Sequence, residues 1–220
     1  MKLMKAVGAS FIALNLALLP VVAWAERVTG QEMSGERYRW TYCFDAVLAE
    51  SAVQIRIAVN WIAVNDVTPA ELARAKEKWM EAIRHTWDGR YAFLTTRGER
   101  YPIRITVTDF GPDIHHEVLV RRNGRATDSL DWNLSASPEF AAHEFGHMLG
   151  ANDEYRGGAV GEARGGPIES VMNNRSGSTA LPVHFQRIRD WFVRSTGLET
   201  VRVVSTITTR ETGKERGPVL

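Results

Sequence analysis

The sequence predicts an α+β fold, with a strand-rich half that holds two helices before Gly150 and a loop-rich half after it. Three observations predict this. Short segments of alternating apolar and polar residues recur between positions 53 and 135. Two segments carry helix-start signals ahead of apolar residues at helical spacing. Residues 151–181 are glycine-rich and show neither period. A chain of 220 residues, 44% hydrophobic and 24% charged, has the composition of one globular domain. That excludes collagen-like, coiled-coil and wholly disordered readings.

From the N-terminus, Met1 to Lys5 carries two lysines, Ala6 to Leu19 is almost continuously apolar, and Ala23-Trp24-Ala25 follows Pro20. This is the pattern of a secretory signal peptide over residues 1–25, cut after Ala25. The apolar run is shorter than the roughly 20 residues a membrane span needs, and Asn15 interrupts it. The expectation is a secreted or periplasmic protein with no stable membrane association after cleavage. Residues 26–220 then form a single domain, divided into 26–150, 151–204 and a frayed tail over 205–220. Residues 26–40 are polar and read as a leader, so that 26–52 is either a short pro-segment or the first structured part.

Val53, Ile55, Ile57 and Val59 alternate with polar or small residues and predict a strand. Thr68-Pro69-Ala70-Glu71 is a capping box with proline at the first helical position, so a helix runs from there to about Trp87, where Asp88-Gly89 stops it. Further strands are predicted at Tyr91–Thr95, around Ile103 to Val107, at Glu117–Arg121 with the turn signal Asn123-Gly124 behind it, and at Asp131–Ser135. Ser137-Pro138-Glu139 opens a second helix that Gly150 ends. Pro182 opens a third, with Phe185, Ile188, Trp191 and Phe192 on its buried face.

The chemistry sits on the second helix. His143-Glu144-Phe145-Gly146-His147 is an H-E-x-x-H pattern, and histidines four apart on a helix project from one face, where both can meet one zinc ion. Glu144 lies beside them as a candidate general base. Zinc lowers the pKa of a coordinated water to about 7, which makes hydrolysis feasible near neutral pH. Given the frequency of His and Glu in this chain, the pattern arises by chance roughly once per hundred such sequences. Gly150 and Asp153 extend it to H-E-x-x-H-x-x-G-x-x-D. Glycine lets the chain turn sharply out of the helix, and such a turn can bring Asp153 back as a third ligand. The longer pattern has a chance expectation of about one in several thousand.

These residues resemble the zinc motif of the metzincin peptidases, and Ser170-Val171-Met172-Asn173 looks like their Met-turn. Asp153 stands where most metzincins have histidine; snapalysin-like secreted peptidases carry aspartate there. The run through Asp153-Glu154-Tyr155 also resembles immune-inhibitor-A-type peptidases, which leaves Glu154 or Glu169 as alternatives for the third ligand. The resemblance implies a metzincin-like mixed twisted sheet, Met172 packed beneath the metal, and an extended substrate lying along an edge strand at about His116–Arg121.

Other features read more plainly. His115-His116 suits a surface strand end, His184 a helix-end hydrogen bond, and His85 a favourable helix C-terminus. Asp128, Asp131 and Asn133 lack the full calcium-loop pattern and read as a solvated turn. Cys43 is the lone cysteine, so no intrachain disulfide forms; a buried inert thiol is favoured over one that caps the zinc. With 27 basic and 26 acidic side chains there is no general electrostatic footprint for nucleic acid.

The sequence therefore predicts a secreted zinc metalloendopeptidase acting on protein or peptide substrates, with Zn2+ held by His143, His147 and Asp153 and with Glu144 as base. A zinc amidase acting on cell-wall peptides is the second reading, and a non-catalytic zinc-stabilised binding module the third.

Overall fold

The computed structural model describes residues 25–34, 38–49, 51–111, 113–124, 128–156, 158, 169–173 and 179–206. The proposed signal peptide, most of the proposed tail and much of the loop beyond Gly150 lie outside the described residues. The fold is α+β. Among the described residues, eight strands form a curled mixed sheet, and three α-helices pack with it around a common core.

Strands β1 (Glu26–Ser34) and β2 (Tyr38–Ala49) pair antiparallel, and β2 pairs antiparallel in turn with β3 (Ala52–Ala63). Helix α1 (Pro69–Trp87) leads to β4 (Tyr91–Thr95) and β5 (Arg100–Thr108), and the sheet runs β1-β2-β3-β5-β4-β8 with β8 at Val201–Ser205. The expected leader is thus a correction. Residues 26–34 and 38–49 are strands of the sheet, and Val28, Phe44 and Ala46 are buried in the common core. The signal was faint because these two strands bury few large apolar side chains, and their pairing is sealed from the far end of the chain: Arg187 ion-pairs with Glu32, and Trp191 Nε1 donates to Glu26 at 2.8 Å. Strand β8 was not foreseen either. It brings the end of the second half back to pair with β4 in the first.

Helix α1 starts as its sequence predicts. Thr68 accepts from the Glu71 N–H, Glu71 accepts from the Thr68 N–H, and Pro69 leads. Its buried face carries Trp79, Ile83 and Trp87, whose indole N–H groups at Trp79 and Trp87 donate to the carbonyls of Ala136 and Ala142 at 3.0 and 2.9 Å. Those carbonyls flank and belong to α2 (Pro138–Met148), so α1 sets the depth of the second helix. The expected third helix is a 3-10 turn at Pro182–Phe185 running into α3 (Gln186–Thr196).

Strand β6 (His116–Arg121) decides where the molecule opens. The β2–β3 ladder runs from Ala49↔Ala52 to Asp45↔Arg56, and its next hydrogen-bonding step would set Cys43 against Ala58. His115 takes that place instead. The Ala58 N–H donates to His115 Nδ1 at 2.9 Å and the Ala58 carbonyl accepts from the His115 N–H at 2.9 Å. His116 Nε2 lies 3.0 Å from the Cys43 carbonyl. From there β6 runs parallel to β3, Val59↔His116 to Ala63↔Val120, while β2 carries on without it.

The histidine pair is therefore a buried wedge rather than a surface strand end. His115 has no exposed side-chain area and reaches Asp45 at 3.0 Å, which Arg27 and Arg56 also hold. Nor is β6 a full edge. Strand β7 (Asp131–Asn133) pairs with residues 119–121, in parallel, so the Asn123-Gly124 turn closes no hairpin.

Candidate metal centre

Helix α2 is held at both ends. Ser137 accepts from the Phe140 N–H at 3.1 Å at its start. At its end Gly150 takes φ +86°, the Gly150 N–H reaches the His147 carbonyl, and the Ala151 N–H reaches the Gly146 carbonyl at 2.9 Å. This pair of bonds is a Schellman motif. A Cβ at Gly150 would also meet Arg187 Cγ at 2.6 Å, so glycine is required twice over.

That reversal does more than stop the helix. It turns the Ala151 carbonyl back to His147, whose Nδ1 lies 2.9 Å away. His143 finds a matching partner from further along: its Nδ1 lies 2.8 Å from the Val171 carbonyl. A carbonyl oxygen has no hydrogen to offer, so each Nδ1 must carry the proton. In the neutral ring each Nε2 is then a bare lone pair. Both rings are buried.

Asp153 completes the arrangement. Its Oδ1 lies 3.1 Å from His143 Nε2 and 3.3 Å from His147 Nε2, is buried, and accepts no hydrogen bond. Three electron-pair donors therefore face one point. Ligand atoms about 2.0–2.1 Å from a tetrahedral zinc sit about 3.3 Å apart, which matches these separations. The centre needs one positive charge, supplied by a proton or by a cation. Burial works against ionisation of Asp153, yet the two imidazoles outweigh it and hold the carboxyl well below the usual carboxylate range. Burial likewise opposes charge on His147, but Asp153 and then Glu144 raise its pKa. The residues present fit a divalent metal ion. Such a cation would replace the proton and would satisfy the orphaned oxygen.

Glu144 shares the space. One of its carboxylate oxygens and one nitrogen from each imidazole lie within 4.8 Å of one another. Tyr155 donates to the other Asp153 oxygen, Oδ2, at 3.0 Å and stacks on His143 at 6.5 Å. Met172 is fully buried, and its sulfur lies against Gly146, where a Cβ would overlap it and crowd Trp87 Cζ2 at 3.0 Å. Gly146, just before the second histidine of the motif, is thus what admits the Met172 side chain.

The structure brings His143, Glu144, His147 and Asp153 together and packs Met172 on the same helix. It separates the alternatives. Glu154 turns to Ser170 and His184, and Glu169 is exposed. Cys43 is half-buried rather than buried; it does not line the cleft, and partial burial raises its thiol pKa. Asp128 accepts from the Leu130 and Asp131 N–H groups, a simple turn. The sequence reading missed Tyr155, Gly146 and the carbonyls of Ala151 and Val171. Of these, only Gly146 and Tyr155 had a visible signal, lying inside and just beyond the motif.

The four residues form the floor of a cleft of about 910 Å³. One wall is Trp40 and Thr41 of β2, with the Trp40 ring 5.3 Å from that of His147; the other is Glu117 and Leu119 of β6. The cleft lies between the strands that the His115–His116 wedge parts. No protein-family model matches the chain, and the comparisons with curated proteins and with solved structures return no match.

Proposed function

We propose that this protein is a secreted, zinc-dependent metalloendopeptidase of metzincin type. The convergence of the Asp153 oxygen and two imidazole nitrogens, each freed by a carbonyl bond on its far side, is the observation that carries the reading. His143, His147 and Asp153 would hold the zinc ion, which when bound polarises a carbonyl and makes water a competent nucleophile at neutral pH. Three protein ligands leave a fourth position open, as catalytic zinc sites do.

Around that centre the chain supplies the rest. Glu144 takes a proton from the attacking water and returns it to the leaving amine. Tyr155 keeps Asp153 oriented. Strand β6 offers main-chain groups to an extended substrate at Glu117: its N–H and C=O point the same way as those of Leu119, whose N–H bonds outward to the Leu130 carbonyl, and β7 reaches only as far as residue 119. The substrate class is protein or peptide. Met172 packs beneath the helix and touches no substrate.

The test is metal analysis together with cleavage of casein and of a peptide library by the wild-type protein and Glu144→Gln. The expected result is one zinc per chain in both proteins, with hydrolysis reduced at least a hundredfold in the variant. Equal activity in the two removes Glu144 from the mechanism. Cleavage of peptidoglycan but not casein redirects the reading to a cell-wall amidase, and bound zinc without any hydrolysis to a binding module.

A further inference from the structure

His184 belongs neither to the ligand set nor to the cleft lining, yet it is 4% exposed and fully engaged. Its Nδ1 accepts the Leu181 N–H at 3.0 Å, so the ring proton sits on Nε2, which lies 3.2 Å from Glu154 Oε1. The other Glu154 oxygen accepts from the Ser170 hydroxyl. The Glu154 N–H donates to the Met172 carbonyl at 2.8 Å, and the Met172 N–H donates to Ser170 Oγ at 3.2 Å. Two of these bonds tie Glu154 directly to residues 170–172, a third fixes Ser170 Oγ against the Met172 N–H, and His184 holds the Glu154 carboxylate from the 3-10 turn that leads into α3.

Both clamped segments end at the metal centre. Asp153 is the residue next to Glu154, and the Val171 carbonyl that orients His143 lies between Ser170 and Met172. A half-buried carboxylate still costs desolvation, and a packed apolar pair would serve stability as well or better. What the hydrogen-bonded cluster adds is geometry: it fixes two chain segments in register to within hydrogen-bonding tolerance.

We propose that His184 is a positioning residue for the metal centre, acting through Glu154 on Asp153 and through Ser170 on the Val171 carbonyl. This rests on the metal-centre reading above. Outer-sphere partners of this kind typically change metal affinity ten- to a hundredfold when removed.

The experiment uses the full chain with cobalt(II) as a visible probe and zinc in competition with a chromophoric chelator. Wild type should bind one cobalt ion; if it binds none, the metal-centre reading fails and this proposal with it. With wild-type binding established, His184→Leu should keep its far-ultraviolet circular dichroism, bind zinc about ten- to a hundredfold more weakly and give an altered cobalt band shape. His184→Gln, whose amide can still donate to Glu154, should recover affinity to within a few-fold. Wild-type affinity and band shape in His184→Leu, or equal loss in the Leu and Gln variants, overturns the proposal. Should His184→Leu not fold, Ser170→Ala is read in its place. There a loss of affinity of about tenfold supports the clamp, and unchanged affinity and band shape overturn it.

Discussion

The Val171 carbonyl accepts a hydrogen bond from His143 Nδ1 at 2.8 Å across 28 residues of sequence. A turn far downstream therefore decides which imidazole nitrogen is left bare. The same turn carries Met172, and its sulfur presses on Gly146 between the two histidines.

Gly146→Ala places a methyl where the Met172 sulfur now sits. Met172 is fully buried and must move, taking the neighbouring Val171 with it. The expected cost is about 1–3 kcal/mol of stability, from overpacking, together with weaker metal binding. Thermal unfolding with and without zinc reads both, and a variant equal to wild type in each would show that Met172 yields freely.

Asp153→Asn keeps the shape of the side chain and removes its charge. Zinc affinity should fall by more than about a hundredfold, beyond the range for outer-sphere changes. In the wild type, a proton would compete with a bound metal for the same three atoms, and Asp153 raises the His147 pKa against the effect of burial. Binding should then release protons and weaken as pH falls. Calorimetry in two buffers of different ionisation enthalpy counts those protons, and a count of zero contradicts the cluster.

Tyr155→Phe removes only the hydroxyl that donates to Asp153 Oδ2 and leaves the ring on His143. Metal affinity should drop about tenfold while the urea midpoint stays close to that of wild type. Unchanged affinity would reduce Tyr155 to a cleft wall.

His116 ties stability to pH. Burial lowers its pKa from 6.5 to about 4 in the folded protein. A base depressed on folding binds its proton first in the unfolded chain. Its contribution is therefore complete above pH 6.5 and lost as pH falls toward 4, by about 3 kcal/mol in all. Asp45, pulled to about 2 by Arg27, His115 and Arg56 despite its burial, adds a loss only below about pH 4. Urea midpoints between pH 4 and 8 should slope more steeply for wild type than for His116→Gln, and parallel profiles would refute the assignment.

Much of the helical framework was legible. Thr68-Pro69-Ala70-Glu71 and Ser137-Pro138 set their helices by bonds within one turn, which depend on nothing distant. Strands β5 and β6 showed as alternation because each has one buried and one more exposed face. The β1–β2 hairpin and β8 did not. Their places follow from Trp191 reaching Glu26, Arg187 reaching Glu32 and β8 pairing with β4, contacts between opposite ends of the chain.

The sequence by itself determined the grouping of His143, Glu144, His147 and Asp153, because helix pitch and one left-handed glycine bring them together within eleven consecutive residues. Only the tertiary structure decided what that group can do. The bare Nε2 of His143 depends on Val171, and the choice of Asp153 over Glu154 depends on Ser170 and His184. The cleft depends on two histidines displacing a strand from its ladder. Each of these is a directional hydrogen bond between segments remote in sequence, and such bonds exist only once the chain has folded around them.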